Sequence, residues 1–515
     1  MNQDRREFLM KSCGALSMAA MATQMRHFGM MSAAAQTVDK DSPAIPSDYR
    51  ALVCIFMQGG NDGNNLVIPN FTTTQSVSNY NDYFAARGTQ QLALTSQPTP
   101  YTSAPLVGTS IFPARMGGLE YALHPALGIQ PAGTNIVNNG IHELWGLGKL
   151  AFVCNVGTLV QPTTRTTYLN NSVPKPFQLF SHSDQVSQYQ GGRSDTQSFT
   201  GWGGRVSDTR TALDNPSGLI PMVTSIAGAQ LFTGGQTTLP LAISDSNTLL
   251  NAVLNPAGFG TNPTGSTLAR LNAFNALRTQ DLNMNYIAAA SHVTDLAMQA
   301  NAALQSLVTV STTFPNTSIG RQLKQVALLI KKRSDLSINR QIFYVQIGSF
   351  DTHTTQITTQ NTLLTQMSQA MRAFYEEMNA QGIADKVTQF TMADFSRTLN
   401  PAGSGLGTVG TDHAWGNHMI VVGGGITGAN FYGLNGANGT PYPQLAVGTA
   451  DDSDPVSGAR GRWVPATSVD QYAATLARWF GVPSANMASV FPKIANFTNS
   501  GGINTDLGFM QPPAP

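Results

Sequence analysis

Six consecutive apolar residues, Leu52-Val53-Cys54-Ile55-Phe56-Met57, run without a polar break towards Gly59-Gly60-Asn61-Asp62-Gly63. A strand with one face in water alternates apolar and polar side chains. A run without alternation fits a strand covered on both faces, as in a parallel sheet sandwiched between helices. The pattern recurs. Residues 150–156, 387–392 and 418–422 read as further strands, and 141–147 as a short helix. Leu363, Leu364, Met367, Met371, Phe374 and Met378 fall at helical spacing over 361–378, and Gln381-Gly382 supplies a C-terminal stop. Ser468-Val469-Asp470-Gln471 is a capping box that opens a helix through Phe480. Strand, loop, helix, strand in this order predicts an α/β fold, a mostly parallel central sheet with helices on both faces.

Such sheets bind ligands beyond the carboxyl ends of their strands. Asp62, Asp351 and Asp394 all come just after apolar runs, so this fold brings them to one edge. Histidines join them in short polar clusters: Phe180-Ser181-His182-Ser183-Asp184, Phe350-Asp351-Thr352-His353 and Thr411-Asp412-His413-Ala414-Trp415-Gly416-Asn417-His418. Charged residues make up only 11% of the chain, so repeated Asp–His pairing stands out. Carboxylate and imidazole without thiolate suit zinc, manganese, calcium or magnesium and do not choose among them. Each position also has a plainer reading. Asp62 next to glycine could cap a turn, Asp351 could cap the helix that comes after it, and the Asp412-His413 loop could simply bury Trp415. Arg397 and Arg205 are forks suited to an anion or to holding a loop. His124 reads as structural, and His142 and His292 as ordinary helix residues.

The first 35 residues read as an address. Asp4-Arg5-Arg6-Glu7-Phe8-Leu9-Met10-Lys11 resembles a twin-arginine export signal, residues 14–25 are mildly apolar, and Ser32-Ala33-Ala34-Ala35 offers a cleavage site. The apolar stretch falls short of the ~20 residues a spanning helix needs, and no later run is long enough. Removing the segment takes away four cations and two acids and moves the net charge from +1 to −1. No basic stripe remains for nucleic acid. Cys54 and Cys154 both lie in strand-like runs and read as buried thiols. Residues 36–515 form one expected domain, with irregular insertions at about 72–118 and 207–311. In the second insertion only 284–307 carries a clear helical pattern.

The ordered motifs resemble the exported bacterial family called domain of unknown function 1501. They are Met57-Gln58-Gly59-Gly60-Asn61-Asp62-Gly63, Ser181-His182, Gly201-Trp202-Gly203-Gly204-Arg205, Phe350-Asp351-Thr352-His353, Ala393-Asp394-Phe395-Ser396-Arg397-Thr398 and Gly410-Thr411-Asp412-His413. The family is placed near the alkaline phosphatase and sulfatase superfamily, so the resemblance implies an alkaline-phosphatase-like core with metal ions beyond the sheet edge. By order along the chain it implies Asp62, Asp351, His353 and His418 as metal ligands. Asp412-His413 and Asp394 compete for the remaining pair. Ser181 is the implied nucleophile, with Ser183 and Thr164 as alternatives, His182 contacts the substrate or supports the site, and Arg397 steadies the anion. The implied activity is hydrolysis of a phosphate or sulfate ester, on a small molecule or a polymer. The rival expectation is a binding or assembly protein that keeps the fold without turnover. The implied partner in transit is the twin-arginine export machinery.

Overall fold

The run at Leu52 becomes the strand β1 (Arg50–Met57), in which all eight residues are buried. Alternate side chains enter opposite layers, as the pleat requires. Ala51, Val53, Ile55 and Met57 join one core, and Leu52, Cys54 and Phe56 the other. The computed structural model describes residues 49–94, 109–128, 140–254, 259, 262–280, 282–283, 285–499, 502–503 and 506–512. The expected export segment, with Cys13 and His27, lies outside the described residues.

Eight further strands complete the central sheet: β2 (Leu150–Gly157), β3 (Val223–Ser225), β4 (Leu241–Ala242), β5 (Arg340–Ile347), β6 (Val387–Ala393), β7 (Asn417–Gly423), β8 (Phe431–Tyr432) and β9 (Thr467–Ser468). Their order is β8-β2-β7-β6-β1-β5-β3-β4, with β9 also paired to β2. β1 is parallel to both β5 and β6, in register from Arg50 opposite Arg340 to Met57 opposite Ile347. Only β7 runs against its neighbours β6 and β2. Its first residues therefore lie at the same edge as the last residues of β1, β5 and β6.

Helices cover both faces. Ile319, Leu323 and Val326 of α3 (Ser318–Lys331) and Leu364, Met371 and Phe374 of α4 (Gln356–Ala380) pack into one core. The other core takes Tyr189 of α1 (His182–Gly191), Trp202 and Val206 of α2 (Trp202–Asp214), and Tyr472, Leu476 and Phe480 of α5 (Val469–Phe480). The Ser468–Gln471 capping box forms as read, and α4 stops at Gln381 with Gly382 at φ +70°. Among the described residues, no helix is long and apolar enough to cross a membrane. Both Cys54 and Cys154 are buried free thiols.

Two stretches hold more structure than their sequence signals suggest. Between 72 and 118 lie a helix, Tyr80–Arg87, with its own Asn79/Asp82 capping box, and the strand Ser110–Ile111. That strand pairs with Tyr121–Leu123, which also pairs with Val67–Pro69. Between 207 and 311, β3 and β4 extend the central sheet. They are three and two residues long, too short for any period to register. The helix Gly265–Arg278 carries Leu268, Leu271, Phe274 and Leu277 at three-residue spacing but buries none of its residues, whereas Asn285–Gln305 is helical as expected.

Candidate metal centre

Polar loops from three parts of the chain meet at the carboxyl edge over one buried aromatic ring. Phe395, just past β6, has the rings of His182 and His413 each 4.6 Å away. His182 opens α1, Asp351 and His353 come after β5, and Asp412 and His413 precede β7. The ligand atoms of His182, Asp351 and His413 all lie within 4.8 Å of one another. His413 Nε2 is 3.1 Å from His182 Nε2 and 3.1 Å from His353 Nε2. Asp351 Oδ1 is 3.1 Å from His353 Nε2, 3.4 Å from His182 Nε2 and 3.7 Å from His413 Nε2. Donors ~2.0–2.1 Å from one zinc ion stand roughly 3.3–3.4 Å apart along the edges of a tetrahedron. These five spacings bracket that value, while His353 lies outside the group of three whose ligand atoms are all within 4.8 Å of one another.

The far side of each imidazole is anchored to oxygen. His182 Nδ1 meets Asp394 Oδ2 at 2.7 Å, and His413 Nδ1 meets the Phe180 carbonyl at 2.9 Å. His353 Nδ1 lies 3.3 Å from Asp412 Oδ1. An oxygen acceptor there calls for a proton on Nδ1, so each neutral ring keeps its lone pair on Nε2. Lone pairs facing each other at 3.1 Å repel, and a shared cation relieves them. Oxygen partners of this kind are the usual means of orienting a metal-binding histidine.

Charges at the centre are tuned in opposite directions. The hydrogen bond to Asp394 raises the His182 pKa, against partial burial, and the Asp394 and Asp351 charges add to the rise. Burial lowers the His413 pKa against its bond to Phe180, helped by the Arg397 charge and by the two neighbouring imidazoles whenever they are protonated. For Asp351, burial pushes upward, but Arg397, His182 and His353 outweigh it and hold the carboxyl below its ordinary range. Asp412 behaves likewise, with Arg460 and His353 outweighing burial. The carboxylates therefore stay ionised, ready to meet a cation.

Close backbone approach holds the loops together. A Cβ on Gly59, at φ +110°, would sit 2.4 Å from Asp351 N, and one on Gly410 would sit 2.2 Å from the His353 carbonyl carbon. Gly59 N–H also donates to both Asp394 oxygens, at 3.1 and 3.2 Å. Phe180 at φ +73° and Ser349 at φ +75° adopt a conformation costly for side-chain-bearing residues, next to the loops that carry the donors.

The residues singled out in the sequence divide into two groups. Asp351, His353, Asp394, Asp412 and His413 come together, with Asp394 and Asp412 behind the imidazoles they hold. Asp62 and His418 are engaged elsewhere. Asp62 is buried, accepts from Asn64 N at 3.0 Å and pairs with Arg87 through contacts of 2.6 and 3.1 Å. Gln356 takes a further share of its carboxylate. His418 is stacked on Tyr442 at 5.1 Å, and its Nδ1 accepts from Asn155 N at 3.2 Å. Burial lowers its pKa to about 3.

Arg397, expected against an anion, is wholly buried and donates to the carbonyls of Gly59, Gly60, Phe350 and Thr411 and to Asp351. It ties the loops to the Asp351 carboxylate, and its hydrogen bonds among the described residues all go to protein groups. Arg205 is spent in the same way on the carbonyls of Val490, Thr200 and Gly191. Ser181 occupies the N-cap position of α1 but makes no side-chain cap bond; its hydroxyl donates to Asp184 at 2.6 Å. Thr164 is held in a capping box, and His124 caps a turn by accepting from Ala126 N.

The sequence reading gave His182 a substrate-contacting or supporting part; in the structure its Nε2 lies among the donors. Its partner Asp394 is 212 positions away, and no local pattern signals that pairing.

No curated protein matches the chain. Among solved structures it is similar to the PsFucS1 sulfatase from Pseudoalteromonas sp., with 9% identity, over 90% of this chain and 74% of that one, at a TM-score of 0.27. The likeness is loose, and the fold stands on its own sheet order and packing. The family described as "Protein of unknown function (DUF1501)" matches residues 167–447, more than half of the chain, and the chain belongs to that family.

Proposed function

We propose that His182, His353, His413 and Asp351 hold one divalent metal ion, and that the centre hydrolyses a phosphate or sulfate ester. The observation that carries the reading is the convergence of His182, His413 and Asp351 ligand atoms within 4.8 Å of one another, with His353 Nε2 3.1 Å from both His413 Nε2 and Asp351 Oδ1 and every Nδ1 held from behind. A donor set rich in imidazole favours zinc over manganese, which prefers oxygen. Magnesium and calcium prefer six or more oxygen donors. When bound, the metal supplies Lewis acidity to an ester oxygen. The chain's own part is to place the reacting groups. Ser181 is the attacking hydroxyl, its proton directed at Asp184, and it stands at the amino end of the ten-residue α1, where backbone N–H groups favour developing negative charge. Asp394 and Asp412 keep two rings in the metal-binding tautomer, and Arg397 orients Asp351.

One observation favours a second reading, metal binding without turnover. With His353 drawn in, four protein donors would close a tetrahedron, as structural sites do, whereas catalytic sites keep an open position. His353, 46% exposed and outside the three residues whose ligand atoms all lie within 4.8 Å of one another, is the donor free to leave. Metal analysis of protein purified without a histidine tag, and then assays on aryl phosphate and aryl sulfate, test both readings. The hydrolase reading expects about one metal per chain and turnover lost in Ser181→Ala. Metal without turnover supports the binding reading. An unchanged metal content in Asp351→Ala and His413→Ala removes the centre altogether.

This reading takes residues 1–35 as a twin-arginine export segment and 36–515 as one alkaline-phosphatase-like domain acting in the periplasm or outside the cell. The Arg5-Arg6 segment supports it. Fractionation of cells expressing Arg5→Lys with Arg6→Lys should find the protein retained in the cytoplasm.

A further inference from the structure

The opposite pole of the sheet carries a second concave site. A cavity of about 400 Å³ opens where the chain enters β1, β5 and β6, lined by Tyr49, Ile338 and Ile383 together with Arg333, Asn339 and Lys386. Strands of eight residues at ~3.3 Å each place it roughly 25 Å from the metal centre. We infer that this pocket binds a small organic anion, its apolar body on Tyr49, Ile338 and Ile383 and its oxyanion against Arg333 and Lys386. The inference is independent of the metal reading.

Three features carry it. The floor is apolar, since Tyr49, Ile338 and Ile383 are buried residues whose faces line an open cavity. The Tyr49 hydroxyl is already donated to Gln341 at 2.7 Å, which leaves the ring to act as a surface. The rim is cationic and lacks an acid. Arg333 lies 5.2 Å over the Tyr49 ring and donates to the Ile330 carbonyl at 3.2 Å, and neither it nor the Lys386 side chain has a carboxylate partner among the described residues. Of the acids next to them in sequence, Asp335 is paired with Lys332 at 2.8 Å, and Asp385 is exposed and does not line the cavity. The turn that shapes the rim holds Ser337 at φ +55°, a conformation maintained at a cost. Three apolar residues set among polar ones suit a small amphiphilic anion, and ~300–1,000 Å³ is the usual size of a small-ligand site. The cavity is at the small end, sized for one ring and a head group.

Calorimetric titration of the full chain with benzenesulfonate, inorganic sulfate and benzyl alcohol tests this. None of the three can be hydrolysed at a phosphate or sulfate ester bond. Benzenesulfonate should bind at least about tenfold more tightly than sulfate or benzyl alcohol. Lys386→Gln, which breaks no side-chain hydrogen bond or ion pair among the described residues, should weaken it by about tenfold, and adding Arg333→Gln should weaken it further. His413→Ala should leave it unchanged. Equal binding by wild type and both variants overturns the inference, as does sulfate binding as tightly as benzenesulfonate. Loss of binding in His413→Ala assigns the ligand to the metal centre and also overturns it. Because no arm uses metal content or turnover, failure here leaves the hydrolase reading where it stood.

Discussion

Asp62 and Asp351 begin alike and end in different chemistry. Each lies a few residues past a buried strand, β1 and β5, at the same sheet edge, and each is bound by an arginine. Asp62 and Arg87 are both sealed from water, with the carboxylate filled by Arg87, Asn64 and Gln356. The Asp351 side chain is 46% exposed, and its oxygen faces three imidazoles as well as Arg397. A strand end delivers an aspartate to the edge; the elements that close over it decide whether it staples the fold or meets a ligand. Asp470 is a third case, buried at the start of α5 with neither oxygen hydrogen-bonded to another residue.

The contrast can be broken by substitution. Asp62→Ala leaves a buried guanidinium without its partner and should cost about 3–5 kcal/mol in denaturant unfolding. Metal content of the remaining folded protein should stay unchanged, and a variant that loses metal but keeps its stability would move Asp62 into the metal centre. Asp351→Ala should act on the metal. It removes a direct donor and should weaken metal binding by roughly a hundredfold or more in a chelator competition, beyond the effect of an outer partner. Unfolding without metal should also shift, by about 1–3 kcal/mol, because the wholly buried Arg397 loses its carboxylate partner while keeping its carbonyl acceptors, so metal affinity is the readout that separates the two aspartates. Asp412→Asn touches the metal only through His353, so a loss of about 10–100-fold is expected. A loss as large as that of Asp351→Ala would mean that Asp412 is itself a ligand.

The smallest effect belongs to Asp470, whose pKa burial raises from 3.8 to about 7, partly opposed by Arg205. The folded state therefore holds a proton that the unfolded chain has released. That contribution is fully present below the unfolded pKa of 3.8 and is lost as pH rises through about 7. Between pH 6 and pH 8 the protein should lose about 1 kcal/mol of stability from this group. Asp470→Asn should flatten that part of the profile, and an unaltered slope would show that the carboxylate does not titrate there.

Much of the scaffold is visible in local patterns. The unbroken apolar run of β1, the helical spacing of Leu364, Met371 and Phe374, and the Ser468–Gln471 box each depend on neighbours within a turn or a strand. The site is visible only in part. Asp351, His353 and His413 stand out because their polar clusters flank apolar runs. The bond from His182 to Asp394 spans 212 positions, Arg397 gathers carbonyls from 14 to 338 positions away, and the pairing of Asp62 with Arg87 crosses 25 positions without a pattern that announces it. The helix Tyr80–Arg87 lies in a stretch whose sequence reads as irregular, so the arginine that neutralises Asp62 has no visible address.

Periodicity and capping chemistry alone determined an α/β sheet with its acids at the carboxyl edge, because burial on two faces and helix termination are short-range demands. Tertiary structure alone decided which of those acids faces open imidazoles and which is sealed. That choice depends on long-range partners and on the antiparallel course of β7, which brings Asp412 and His413 to the edge from the opposite direction. Charge burial is tolerated only where a partner arrives, and a partner's arrival is a property of the folded chain.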